Sequence, residues 1–355
     1  MGQSMTGMPL RPCAVFTSTE LHANQEPMQT RHILQLLLFS LAAVFLHASA
    51  IAQEAEPWTR WQSTLLKDHP LTGKIWSVRK KRFITPQTLG QAVRSARYVL
   101  IGEIHDNPDH HRLQAWLIEK AAADRKPAVV MEMIARDRAP ALRGYLATPD
   151  ASPDGLGAAL EWKESGWPEW KIYQPIAEAA FRLKLPIRAG DIDKPTLRSV
   201  SRKGMGTLDK ERRKTLMLDK PLGEPMNNAL LDELYESHCE LVPRGALGPM
   251  LNVQRLRDAV LADSLIKAAG GGSAVLIAGN GHVRADRAVP WYLSRRAPQT
   301  EIVTIMLMEV ERQAKEPEDL VPTGPGGEAA AGYVWFSPRA EREDPCKALR
   351  KRFGK

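Results

Sequence analysis

Glu103, His105, Glu132 and His282 are the residues of this 355-residue chain best placed to do chemistry. Each stands at or just after an apolar run. Tyr98–Ile101 precedes Gly102-Glu103-Ile104-His105, Ala128–Met131 precedes Glu132, and Ala274–Ala278 precedes Gly279-Asn280-Gly281-His282. Two strand–GxxH segments and two strand-end glutamates make a nitrogen and oxygen set. Such a set suits a divalent metal, or the proton transfers of acid–base catalysis. The glycine opening each GxxH is expected to turn the backbone sharply, so that the imidazole swings back over the strand end. The competing account is a buried hydrogen-bond network that holds the strand ends, although burying two carboxylates is costly unless they are paired.

The elements that must position these residues are legible from pattern. Short β-branched and apolar runs closed by glycine read as buried strands. The two strands that deliver Glu103 and Glu132 are expected side by side. Asn107 is placed to cap the following helix, with Pro108 in its first turn. His110 and His111 fall in that helix and are expected at its surface or behind the site. Further strands are expected at Ile75–Val78, at Pro186–Gly190 (ending in Asp191 and Asp193), at Ile302–Val310 and at Tyr333–Phe336. Arg136–Leu146 reads as a helix, 147–157 as a loop, and Pro175 as the opening of another helix. Met250–Ala269 is amphipathic, with Leu256, Val260 and Leu265 aligned. Strands alternating with helices imply an α/β fold: a largely parallel mixed sheet flanked by helices on both faces. In such sheets ligands bind beyond the carboxyl ends of the strands.

Residues 1–52 read as a leader. Arg31-His32 precede an apolar run from Ile33 to Leu46, followed by small-residue cleavage sites and a polar stretch. Met28 stands just ahead of that basic pair, which makes residues 1–27 an over-called start in this reading. The expectation is an exported, periplasmic protein with a single domain over 53–355. No cysteine stands at the cleavage site to carry a lipid anchor. The net charge of +8 suits an acidic ligand or a membrane surface. Nine Lys or Arg fall between Lys194 and Lys220; a solvated helical face is the favoured account over a phosphate or carboxylate cradle. An exported chain with no matching motif leaves nucleic acid out of the expected partners. An oxidising compartment permits Cys239 and Cys346 to pair, with free thiols as the alternative. No GxSxG elbow, P-loop or CxxCH haem-attachment motif is present.

GEIHDNPDHH with Glu132, WKESGWPEWKIYQPI, SHC at Ser237–Cys239, QRLRDA at Gln254–Ala259 and AGNGH occur in an order that resembles the ChaN family. The resemblance covers about Ala92 to Cys346. ChaN proteins are exported haem-binding proteins linked to bacterial iron uptake, within a superfamily that includes the Tiki and TraB proteins and the erythromycin esterases. The resemblance implies an α/β fold like theirs, haem held non-covalently as b-type, tyrosine ligation of iron and a pocket that a homodimer shares. It also implies service to an outer-membrane haem receptor or an inner-membrane permease. Many members are lipoproteins, and this chain lacks the corresponding cysteine.

A haem site needs an axial ligand, flat apolar walls and cations for the propionates. Tyr173, in the aromatic cluster before Pro175, is the first candidate ligand and Tyr145 the second. A packing tyrosine is the alternative for either. Trp162, Trp167 and Trp170 are candidate walls, and Arg284 a candidate propionate partner. The function expected first is haem binding in bacterial haem and iron acquisition. The alternative is a hydrolase of an ester or peptide bond, metal-dependent or acid–base, using Glu103, His105, Glu132 and His282. His238, beside Cys239, is a lesser candidate for metal.

Overall fold

The computed structural model describes residues 56–352. The leader expected over residues 1–52 lies outside them. Eight strands form one sheet: β1 (Ile75–Ser77), β2 (Arg82–Ile84), β3 (Tyr98–Glu103), β4 (Ala128–Ala135), β5 (Ile187–Asp191), β6 (Ala274–Gly279), β7 (Ile302–Glu309) and β8 (Tyr333–Ser337). Their order is β2-β1-β8-β7-β3-β6-β4-β5. The six strands from β8 to β5 run parallel, and β1 and β2 add an antiparallel edge. The α/β fold with a largely parallel mixed sheet is therefore the observed architecture.

One expectation about the sheet is corrected. The strands bearing Glu103 and Glu132 are not neighbours, because β6 lies between them and pairs with both. The second GxxH turn is thereby delivered between the two glutamates. A second correction concerns β4, which runs on past Glu132 to Ala135. Its ladder with β6 stops at Met131, and its register with β5 shifts between Met131 and Ala135. Glu132 thus sits at the end of one ladder, inside an irregular stretch of the other.

The helices are α1 (Pro86–Ser95), α2 (Pro108–Ala121), α3 (Ala139–Leu146), α4 (Pro153–Ala159), α5 (Trp170–Arg182) and α6 (Lys194–Lys203). They continue with α7 (Lys210–Thr215), α8 (Glu224–Ser237), α9 (Gly248–Ala269), α10 (Asn280–Val283), α11 (Val289–Arg296) and α12 (Pro345–Arg352). Side chains alternate across each strand, so two cores form. Val99, Ile101, Val129 and Met131 pack with α1, α2 and α5, while Tyr98, Leu100, Val130 and Leu276 pack with α9 and α11.

Asn107 caps α2 as expected, accepting from the amides of Asp109 and His110. Two expectations fail locally. The segment 147–157 is not all loop, because Ser152 accepts from Gly155 N and opens α4 with Pro153 in its first turn. Pro175 lies inside α5 and does not open it; the helix starts at Trp170 because Trp170, Tyr173 and Ala177 share one packing face. The basic run 194–220 spans α6 and α7, with most of its cations exposed. Cys239 and Cys346 form a disulfide. Among the described residues, no helix is long and apolar enough to cross a membrane.

Candidate functional site

Parity decides which way the glutamates point. Glu103 follows Val99 and Ile101 onto the α2 face, whereas Glu132 follows Val130 onto the α9 face. Glu103, 2% exposed, meets two histidines: His105 Nδ1 lies 2.8 Å from Oε1, and His111 Nδ1 lies 2.7 Å from Oε2. The His111 contact is not aligned as a hydrogen bond. That ring instead pairs Nδ1 with Gln114 Oε1 at 3.0 Å and Nε2 with the His105 carbonyl at 3.0 Å. His110 and His111 are both fully buried, which excludes the surface and leaves the other expected place, behind the site. Burial would raise the Glu103 carboxyl, but His111 and His105 outweigh it and hold it down at about 2.

On the other face Glu132 gathers three partners. Its Oε2 accepts from Gly279 N at 2.7 Å, and its Oε1 accepts from Arg257 Nη2 at 2.6 Å and faces His282 Nε2 at 3.3 Å. Arg257, on α9, also donates to Asp191 at 2.7 Å. His282 turns its other nitrogen to Asp258 Oδ1 at 2.6 Å, with the Gln254 amide 3.2 Å away. Burial opposes the charging of His282, yet Glu132 and Asp258 raise its pKa to about 10. Burial pushes Asp258 up to about 6 against the pull of His282, while His282 and Arg257 hold Glu132 well below the usual carboxylate range despite its burial.

The two faces meet over the end of β6, and the glycines explain how. A Cβ on Gly102 would run into Asn280 and Val283 of the second turn. A Cβ on Gly279 would stand 2.9 Å from His105 Nε2 in the first. Each glycine makes room for the other turn. Neither adopts a positive φ, so the sharp-turn role expected of them is replaced by close approach.

All four residues expected from the sequence are thus brought together, but they are paired off. Glu103 goes with His105 and His111, and Glu132 with Arg257 and His282. Among the described residues, no group of three or more His, Cys, Asp or Glu is arranged to hold a metal. His105 is the most open member, with 35% of its side chain exposed and its ring 4.7 Å from Trp167. Its Nε2 has no hydrogen-bond partner among the described residues and faces Gly279. Burial opposes its protonation, but Glu103 and Glu132 raise its pKa.

Beside this cluster, at the ends of β4 and β5, lies a pocket of about 370 Å³. Met133, Leu160, Trp162 and Trp167 give it apolar wall; Arg138, Lys194 and Arg257 bring positive charge, and Glu132, Asp137, Glu161, Glu164 and Asp191 bring negative charge. Glu132 and Arg257 belong to both pocket and cluster. Of the residues expected to bind haem, Trp162 and Trp167 line this pocket, while Tyr173, Tyr145, Trp170 and Arg284 do not. Tyr173 is fully buried, its hydroxyl donating to the His105 carbonyl at 3.2 Å and its ring against His111 and Trp162. Burial and nearby carboxylates push that hydroxyl's pKa far up, the opposite of what a tyrosinate ligand needs. Tyr145 bonds the backbone of Ser152 at the start of α4. Arg284 is held by Asp286 and the Thr323 carbonyl. His238 faces the Leu234 carbonyl.

Sequence reasoning missed Arg257, Asp258 and Gln254 as members of the site and left His111 between the surface and a place behind it. A signal existed for Asp258: it lies between Leu256 and Val260 on a helix read as amphipathic, so a buried acid there needs a partner.

Residues 89–293 match the family described as "Haem-binding uptake, Tiki superfamily, ChaN". Among solved structures, the chain is similar to one described as cofacial haem binding to ChaN of Campylobacter jejuni. That match has 19% identity and a TM-score of 0.55, and covers 74% of this chain and 95% of that one. It is also similar to the type III effector HopBA1 (14% identity, TM-score 0.39, 71% and 92% covered). A variant of the erythromycin esterase EreC in its open conformation gives 13%, 0.34, 82% and 87%. The last two scores are too low to equate sites. No curated protein sequence matches the chain.

Proposed function

The chain belongs to the haem-binding uptake ChaN family of the Tiki superfamily, and from that premise we propose that it binds haem non-covalently in bacterial iron acquisition. The observation that carries this reading is the pocket beyond β4 and β5. Its volume falls in the range of roughly 300–1,000 Å³ usual for small-molecule sites. Trp162 and Trp167 suit a porphyrin face and Lys194 suits a propionate, while Arg138 is paired with Glu161. The fit is incomplete at the iron, since among the described residues no tyrosine lines the pocket and its cluster carboxylates, Glu132 and Asp191, are already held by Arg257. No axial ligand is assigned. In the same reading the chain is exported through residues 1–52, shares its pocket in a homodimer and passes haem to an outer-membrane receptor or inner-membrane permease.

A hemin titration followed by absorbance tests this. Saturable Soret binding is expected, and Lys194→Glu should weaken it by roughly tenfold through charge reversal at the pocket rim. Absence of a saturable Soret shift overturns the reading.

One observation favours a second reading, hydrolysis of an ester or peptide bond. His105 bonds Glu103 through Nδ1 and leaves Nε2 without a hydrogen-bond partner among the described residues, the arrangement of an oriented general base. Hydrolysis by the same preparation that His105→Ala abolishes, with hemin binding unchanged, would support it. A panel of model esters and peptides left intact would remove it.

A further inference from the structure

We infer that the C-terminal strap positions the His105 turn through Arg342, and that the Cys239–Cys346 disulfide locks this strap to the helix beside the His282 turn. The strap is the run 338–346 that leaves β8. Arg342 Nε donates to Asp106 Oδ2 at 2.7 Å, next in sequence to His105, while Nη1 and Nη2 donate to Glu309 at 2.7 and 2.5 Å. Glu309 Oε1 also accepts from Ala340 N at 2.9 Å and from Asn107 Nδ2 at 2.8 Å, and the same amide reaches the Pro338 carbonyl at 3.1 Å. His110 completes the clasp: Nε2 meets Ser337 Oγ at 2.8 Å while Nδ1 accepts from Ile104 N at 2.9 Å. The turn 104–107 is therefore gripped along one side by the end of β8 and the strap.

The other end of the strap is covalent. Cys346, in α12, bonds Cys239, which lies 107 residues earlier, two positions past the end of α8. On α8, Glu233 pairs with Arg287, and its carboxylate lies 3.3 Å from where a Cβ on Gly281 would be. One disulfide thus joins the element flanking the second GxxH turn to the strap clasping the first. Arg342 touches Asp106 and not the imidazole, so it is a positioning residue. Two electrons and two protons from a dithiol, which closes to its own cyclic disulfide, cleave the S–S bond to two thiols. The strap then depends on its polar contacts alone, of which the Asp106 pair is partly exposed and individually weak.

Neither the grip nor the lock depends on what the site binds. Amide hydrogen exchange read by mass spectrometry on the whole protein tests both without hemin. The forms compared are oxidised, dithiothreitol-reduced, Cys346→Ser, Arg342→Ala and Arg342→Lys. Exchange in the peptide covering 104–109 should rise about tenfold in Arg342→Ala, as for loss of a charge-assisted pair. It should rise likewise on reduction and in Cys346→Ser, and fall back in part in Arg342→Lys, with β3 and β6 unchanged throughout. Reduction and Cys346→Ser, but not Arg342→Ala, should also raise exchange at 280–283. Unchanged exchange at 104–109 in the reduced protein and in Arg342→Ala overturns the inference. So does a uniform rise across the sheet, because strap and disulfide would then only stabilise the fold.

Discussion

In the first GxxH turn His105 keeps 35% of its side chain exposed and bonds one carboxylate; in the second His282 keeps 5% and lies between two. The backbone pattern is shared, and so is the reason for its glycine, since each lets the other turn approach. The neighbours differ. Glu103 and Trp167 stand against the His105 ring and His111 of α2 against its carbonyl, whereas α9 sends Gln254, Arg257 and Asp258 against His282 and Glu132. The comparison teaches that the motif places an imidazole over a strand end, and that the packed helices then decide its work. His282 is wired into a buried charge network. His105 retains an opening and a nitrogen with no hydrogen-bond partner among the described residues.

Removing each ring should show the difference most strongly. His282→Ala leaves Glu132 and Asp258 buried on one face with only Arg257 between them, a loss expected to cost about 3–5 kcal/mol. His105→Ala removes a partner of Glu103 that is partly exposed, while His111 remains, so about 1 kcal/mol is expected. Urea unfolding of both variants measures the gap. Equal losses would mean that the two turns are equivalent structural posts.

Much of this contrast could be read before the fold was known, and part could not. Strand–GxxH segments, Glu132 and the Asn107 cap announce themselves because strands, caps and close turns are local patterns. Strand order is not local. Nothing in residues 97–133 says that residues 274–279 will insert between their two strands. The helix at Pro153–Ala159 was hidden by Gly155 and Gly157, residues that favour loops. Gly157 is there because Trp170 packs directly on it. Tyr173 was drawn toward the iron by its aromatic company, but that company is a core cluster and its hydroxyl serves the His105 carbonyl. Asp258 escaped and His111 stayed undecided because a polar residue on the buried face of a helix shows its purpose only when its partner from another element is seen.

Titration separates His282 and Glu103 in opposite directions. The His282 pKa is raised from 6.5 to about 10, so the stability it contributes is complete below pH 6.5 and is lost as pH rises through 10. The Glu103 pKa is lowered from 4.5 to about 2, so its contribution is complete above pH 4.5 and is lost as pH falls through 2. His282 therefore adds to the alkaline flank of the stability curve and Glu103 to the acid flank, to which the raised His105 and the lowered Glu132 also contribute. Unfolding free energies across pH should show His282→Gln making the alkaline flank shallower and Glu103→Gln the acid one. An alkaline slope that survives in His282→Gln would remove His282 as its source.

The smallest expected effect separates packing from ligation at Tyr173. Tyr173→Phe deletes one hydrogen bond to the His105 carbonyl, which His111 Nε2 still reaches at 3.0 Å, so that oxygen is not orphaned. The ring keeps its neighbours, with centroids 4.1 Å from His111 and 5.1 Å from Trp162. About 0.5–1 kcal/mol of stability should be lost. Hemin affinity should change by less than about twofold, well under 1 kcal/mol, because no contact with the pocket is altered. A collapsed affinity or a changed Soret band in Tyr173→Phe would put that hydroxyl on the iron. The first turn would then have to open, exchanging the His105 carbonyl for haem, and its exposed imidazole would mark a hinge and not a base.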